Sequence, residues 1–227
     1  MHVYTMHPQL AVSRGCSVDH WEPEADGRAF DLARLKALVT PATSMVVVNF
    51  PHNPTGATLT ERELEELAEL CHHMGATLFS DEVRSARNGP RAAHPHIVHA
   101  TLRKKHLSIL LYGTPPQMYL FLPHDPAQQL PTAALLTPRA VCLSGMSKCF
   151  GMPGIRLGWL VSRDVAFIKA AAQLKDYSTI CSPGPSEWLA LQALRNAAAV
   201  VDVQRRVVLR NLQTLDAFFQ RCAGCVK

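Results

Sequence analysis

Three short β-rich runs, at residues 45–50, 76–80 and 140–143, each break into a polar segment, and helical patterns flank them. That alternation constrains the chain more than any other feature. It argues for an α/β layered domain. The run MVVVNF at 45–50 is apolar apart from Asn49 and rich in valine, the pattern of a parallel-sheet strand buried on both faces. Thr60 and Glu63 have the spacing of a capping box, opening a helix with Leu64, Leu67, Cys71 and Met74 on one stripe and Gly75 at its end. A shorter helix over 31–39 is capped by Asp31, and a helix ending near Arg14 is closed by Gly15. Further strands are expected at 16–21 and 157–162. A helix is expected over 165–177, a turn at Ser182-Pro183-Gly184-Pro185, and helical periodicity from 186 to 220.

Composition excludes several classes. Hydrophobic residues at 48% and charged residues at 18% describe a soluble globular chain, not a disordered one. Apolar runs are too short for a membrane span, and the start MHVYTMHPQL lacks the basic-then-apolar order of a secretory signal. Seven scattered cysteines point to a reducing, cytoplasmic setting rather than a disulfide framework. The net charge of +5 invites a nucleic-acid reading, but its distribution argues against one. Residues 83–117 carry six Lys or Arg and no acid, while the other 192 residues carry 17 basic and 18 acidic side chains. Neither a nucleic acid nor a membrane is expected as a partner.

The chemistry concentrates where strands end. Asn53-Pro54-Thr55-Gly56 follows the first run and, alone, is a turn with good loop chemistry. Asp81-Glu82 follows the second, and such a pair is more often an exposed strand end than a site. The third segment runs Ser144-Gly-Met-Ser-Lys148-Cys-Phe-Gly-Met-Pro-Gly-Ile-Arg156. A lysine among small residues, with Phe150 beside it, is poorly explained as a solvated face. Desolvation there favours the neutral amine and imine chemistry. Hydroxyls, loop N–H groups and an arginine in the same stretch suit a phosphate.

In this order and spacing the three segments resemble the pyridoxal-phosphate signature of fold-type I enzymes, the class I and II aminotransferases. The resemblance covers most of the chain outside 83–117. It implies a three-layer large domain and pyridoxal 5′-phosphate as cofactor. The implied reaction moves an amino group between an amino acid and a 2-oxo acid, in a homodimer. Residue by residue, Asn53 would hydrogen-bond the cofactor's phenolic oxygen, and Asp81 would pair with the pyridine nitrogen. Lys148 would form the internal aldimine and shuttle the Cα proton. Arg156 would hold the phosphate with Ser147 or Ser144, and Tyr4 would supply the ring over the cofactor, with His7 the alternative. One departure stands out: Gly145 occupies the place of a serine that usually binds phosphate.

The same resemblance sets expectations for organisation. Complete relatives run to roughly 400 residues, so 227 imply a fragment. Residues 1–185 are expected to form a partial cofactor-binding domain interrupted by an irregular insertion at 83–117. Residues 186–227 would lead toward a truncated small domain. Removing 83–117 joins Glu82 to Met118 and restores the Asp-Glu-x-Tyr pattern with Tyr119, whose hydroxyl would reach the phenolic oxygen. Such a segment resembles a translated intron, the alternative being a true surface insertion. No metal is expected: His94, His96, His99 and His106 lack Cys or carboxylate neighbours, and Cys222-Ala-Gly-Cys225 has no second pair. The competing functions are a lyase or synthase on the same scaffold, and a non-catalytic remnant that acts by binding.

Overall fold

The computed structural model of the chain describes residues 6–25, 29–52, 57–82 and 130–222. A four-stranded sheet organises them, in the order β1 (Met45–Asn49), β2 (Thr77–Asp81), β3 (Ala140–Gly145), β4 (Gly158–Ser162). The first three strands are parallel and β4 runs antiparallel to β3. The expected mostly parallel sheet between helices is therefore what the chain forms.

One face of the sheet is covered by α2 (Leu32–Leu38), α3 (Glu61–Met74) and the single turn α4 (Ala133–Leu136), which bury Leu35, Leu64, Leu67 and Ala133 against Val46, Val48, Leu78 and Cys142. Leu67 alone, fully buried, contributes about 1.5–3 kcal/mol of hydrophobic stabilisation. The opposite face packs Phe79, Val141 and Leu160 against Phe167, Ile168 and Ala171 of α5 (Val165–Ser178). A third cluster forms under the turn after β3, where α6 (Gly184–Arg195) and α7 (Ala197–Arg221) meet Met146, Cys149 and Phe150. A further helix, α1 (Met6–Ser13), lies at the start of the described chain.

Local chemistry accounts for the element ends. The Glu63 N–H donates to Thr60 Oγ1 at 3.2 Å and the Thr60 N–H to Glu63 Oε2 at 2.7 Å, so the capping box opens α3. Gly75 closes it in the left-handed region at φ 74°. Asp31 caps α2, its carboxylate accepting the Ala33 N–H at 2.8 Å.

Three expectations change. Residues 16–21 form no strand; Trp21 instead packs edge-on against Phe30 (5.1 Å) and Phe50 (6.0 Å), and its indole N–H donates to the Asp31 carbonyl. Aromatic packing satisfies that segment without a neighbouring strand. β1 is buried on one face only: Val46 and Val48 are inside, while Met45 and Val47 are 42% and 46% exposed, because α5 covers the second face nearer β3 and β4. The turn at 182–185 ends sooner than expected. Helix α6 begins at Gly184, and Pro185 sits in its first turn, where a missing N–H costs nothing. Among the described residues no helix is long and apolar enough to cross a membrane.

Candidate active site

Register gathers the informative segments. Asn49 pairs with Asp81 and Asp81 with Leu143, so β1, β2 and β3 end level with one another. The Glu82 N–H extends this edge by donating to the Leu143 carbonyl at 2.7 Å. Because β4 is antiparallel, it starts where β3 stops, with Gly158 opposite Gly145. β1, β2 and β3 therefore end, and the loop 146–157 emerges, at one edge, the carboxyl edge of the parallel strands, where open α/β sheets place ligands.

The loop's two ends meet through glycine. A β-carbon on Gly158 would lie 2.9 Å from the Ser144 carbonyl oxygen, and one on Gly145 would lie 3.1 Å from that of Leu157. This close approach accounts for glycine at 145, where the family pattern has serine.

Asp81 and Glu82 are not an exposed strand end. They are 4% and 5% exposed. Glu82 Oε1 accepts the Ser80 hydroxyl at 2.9 Å and the Ala133 N–H at 2.7 Å. Among the described residues, Asp81 Oδ1, Glu82 Oε2 and Asn49 Oδ1 are buried without a hydrogen-bond partner. An unsatisfied buried acceptor costs about 1–3 kcal/mol, so a group of them at one edge marks a place that awaits donors. Burial, and secondarily the Glu82 charge, push the Asp81 carboxyl up to about 6. Such an acid is poised to be ionised by a neighbouring cation.

The loop 146–157 carries the remaining candidates. Lys148 and Ser147 are half-buried between the buried Met146 and Cys149, and Ser144 is buried at the end of β3. Arg156 adopts a left-handed backbone, φ 53°, and its guanidinium donates to the Pro153 carbonyl at 3.0 Å while staying exposed. A non-glycine residue held there is strained, and such strain concentrates at functional sites.

Asp81, Ser144, Ser147, Lys148 and Arg156 thus belong to one sheet edge and its loop. Asn53, Tyr119 and Tyr4 lie outside the described residues. The chain on both sides of Asn53 is joined, the His52 N–H donating to the Ala57 carbonyl at 2.6 Å. The His52 ring, edge-on to Phe30, is held below the ordinary imidazole range by burial. Sequence reasoning missed Asn49 as a buried acceptor and Glu82 as a tie to α4. Neither has a signal beyond standing beside a strand end.

Comparison with known proteins decides the family. The family model for aminotransferase class I and II matches residues 2–224. The chain belongs to the class I and II aminotransferases. It is 30% identical over 195 residues to the capreomycidine synthase of Streptomyces vinaceus, an alignment covering 85% of this chain and 40% of that one. It is 28% identical to a probable N-succinyldiaminopimelate aminotransferase of Mycobacterium tuberculosis, over 77% of this chain and 38% of the relative. This aminotransferase-family chain therefore spans well under half the length of those two relatives. The fold agrees: an engineered aspartate aminotransferase of Thermus thermophilus superposes with a TM-score of 0.72 at 24% identity, over 97% of this chain and 52% of that one. Bna3p of Saccharomyces cerevisiae, titled a putative kynurenine aminotransferase, gives 0.71 at 18%, over 96% and 47%.

Proposed function

We propose that this chain carries the cofactor centre of a pyridoxal 5′-phosphate enzyme that transfers an amino group between an amino acid and a 2-oxo acid. Asp81 carries the reading. Its Oδ1 is buried at the strand edge and has no partner among the described residues, which fits a protonated pyridine nitrogen as the donor. A cation there would return the carboxyl to its ionised form and satisfy the orphaned oxygen together. When bound, the cofactor supplies an electron sink for the bonds at the substrate Cα.

The residues divide that work. Lys148 would offer its amine to the cofactor's aldehyde carbon and would move the proton at the substrate Cα. Arg156, Ser147 and Ser144 would hold the phosphate through charge-assisted and hydroxyl hydrogen bonds. Asn53 and Tyr119 would donate to the phenolic oxygen, and Tyr4 would supply the ring over the cofactor. A homodimer in the cytoplasm is the setting this reading expects; the six described cysteines are free thiols, in keeping with a reducing compartment.

The test is direct. Protein incubated with pyridoxal 5′-phosphate and then borohydride should carry one pyridoxyl group, on the peptide containing Lys148, and Lys148→Ala should carry none. A separate sample loaded with the cofactor and left unreduced should convert an added amino acid to its 2-oxo acid, one per bound cofactor. Labelling spread over surface lysines would refute the assignment. Loss of a side-chain group or of carboxylate from the amino acid, in place of the 2-oxo acid, would favour a lyase or synthase.

A further inference from the structure

The lysine loop is packed from the carboxyl-terminal helices as much as from the sheet. Met146, Cys149 and Phe150 are buried with Ala190 and Ala193 of α6, and Val200, Val201 and Val208 of α7 pack on the same cluster. Within the loop the Gly151 N–H closes a turn on the Lys148 carbonyl at 2.9 Å, and the Met152 N–H donates to the Met146 carbonyl at 3.0 Å. Gly151 sits at φ 64°. A β-carbon there would lie 2.5 Å from Gln204 Nε2, 2.7 Å from Cδ and 3.0 Å from Oε1. The amide at the end of the Gln204 side chain, from α7, occupies the space a β-carbon at 151 would take.

An amide laid on the last residue of a turn restricts how the whole turn can roll. Lys148 is the first residue of that turn, so its Cα–Cβ direction inherits the restriction. Chemistry between an amine and a carbonyl carbon is sensitive to such placement, a misplacement of about 1 Å costing on the order of a hundredfold in rate.

We propose that Gln204 is a positioning residue for Lys148: its amide, seated on Gly151, fixes the turn that presents the lysine amine at the sheet edge. This rests on Lys148 being the reactive amine, and the test separates the two claims.

Three measurements on the full chain compare wild type, Gln204→Ala and Gln204→Met, the last keeping side-chain length. They are hydrogen exchange at the Gly151 and Met152 amides, acylation of Lys148 by acetic anhydride with Lys169 as internal reference, and borohydride-fixed pyridoxylation of Lys148. Gln204→Ala should speed exchange at those two amides about tenfold while β1–β3 are unchanged. Acylation of Lys148 should change about threefold and pyridoxylation should slow about tenfold. Gln204→Met should restore all three. If alanine does not fold, Gln204→Asn, one methylene shorter, gives the same readings in a smaller step. Unchanged exchange overturns the proposal, as does faster exchange with Lys148 reacting at wild-type rates, or methionine behaving like alanine. If wild type takes no pyridoxyl group at Lys148 while Gln204→Ala still alters exchange and acylation there, positioning stands and the cofactor assignment falls.

Discussion

Glu82 Oε1 accepts the Ala133 N–H at 2.7 Å across 51 positions of sequence, so the end of β2 is pinned to the start of α4. Both chain ends of the long intervening segment are thereby held together by residues outside it. The described residues on either side of 83–129 are joined by this bond.

Deleting residues 83–117 should therefore preserve the fold. The 12 residues that remain, 118–129, reach roughly 40 Å when extended, ample for ends joined by a hydrogen bond. Shortening the loop should stabilise the protein by about 1 kcal/mol through reduced closure entropy. Urea denaturation with a single cooperative transition at an equal or higher midpoint is the expected result; loss of cooperativity would show that the segment belongs to the core. The same deletion brings Tyr119 to the second position after Glu82, and tighter pyridoxal 5′-phosphate binding would support its role at the phenolic oxygen.

Asp81 gives the cofactor-free protein an unusual pH dependence. Its folded value of about 6 lies above the ordinary 3.8, so between these limits the folded state binds the proton that the unfolded chain releases. This contribution is complete below 3.8 and is lost as pH rises through about 6. It amounts to about 3 kcal/mol over the whole window. Asp81→Asn should therefore stabilise the cofactor-free chain at pH 7 and flatten its melting profile between pH 4 and 6. The same variant should bind pyridoxal 5′-phosphate more weakly, since the amide cannot neutralise a pyridinium. A variant less stable than wild type at pH 7, with an unchanged pH profile, would contradict the buried, unpartnered state of this carboxyl.

Glycines in the lysine loop and at the start of β4 should not be equivalent. Gly158→Ala places a methyl 2.9 Å from the Ser144 carbonyl oxygen, backbone against backbone, so β3 and β4 must part. A cost of about 1–3 kcal/mol is expected in urea titration. Gly154→Ala meets nothing within 4 Å and should stay within about 0.5 kcal/mol of wild type. Equal effects at the two positions would refute the close approach.

The contrast between those glycines also shows what the sequence could carry. Elements set by local chemistry were legible: Thr60 and Glu63 opened α3, Gly75 closed it, and the order of the three polar segments after strands revealed the edge where Asp81 and Lys148 stand. What depends on distant neighbours was not. Whether Val47 faces solvent depends on where α5 lies, and Trp21 gave up a strand-like pattern to pack on Phe30 and Phe50. The Gln204 amide over Gly151 joins residues whose relation appears only once α7 has folded onto the lysine loop. Glu82 belongs to the same class, since its partner Ala133 carries no side-chain signal at all.

That buried glutamate also allows structural and electrostatic effects to be separated. Glu82→Ala strips the acceptor from both the Ser80 hydroxyl and the Ala133 N–H, and should destabilise the fold by about 1–3 kcal/mol for each group left unpaired. Glu82→Gln keeps an oxygen for those donors while removing the negative charge beside Asp81. Its stability should fall less than that of the alanine variant. The Asp81 carboxyl should titrate lower than in wild type, because one of the two causes of its elevation has gone and burial alone remains. Carboxyl titration followed by isotope-edited infrared or NMR on the cofactor-free protein reads this shift, with Asp81→Asn identifying the signal. If Asp81 titrates alike in wild type and Glu82→Gln, the Glu82 charge does not act on it, and burial accounts for the whole effect.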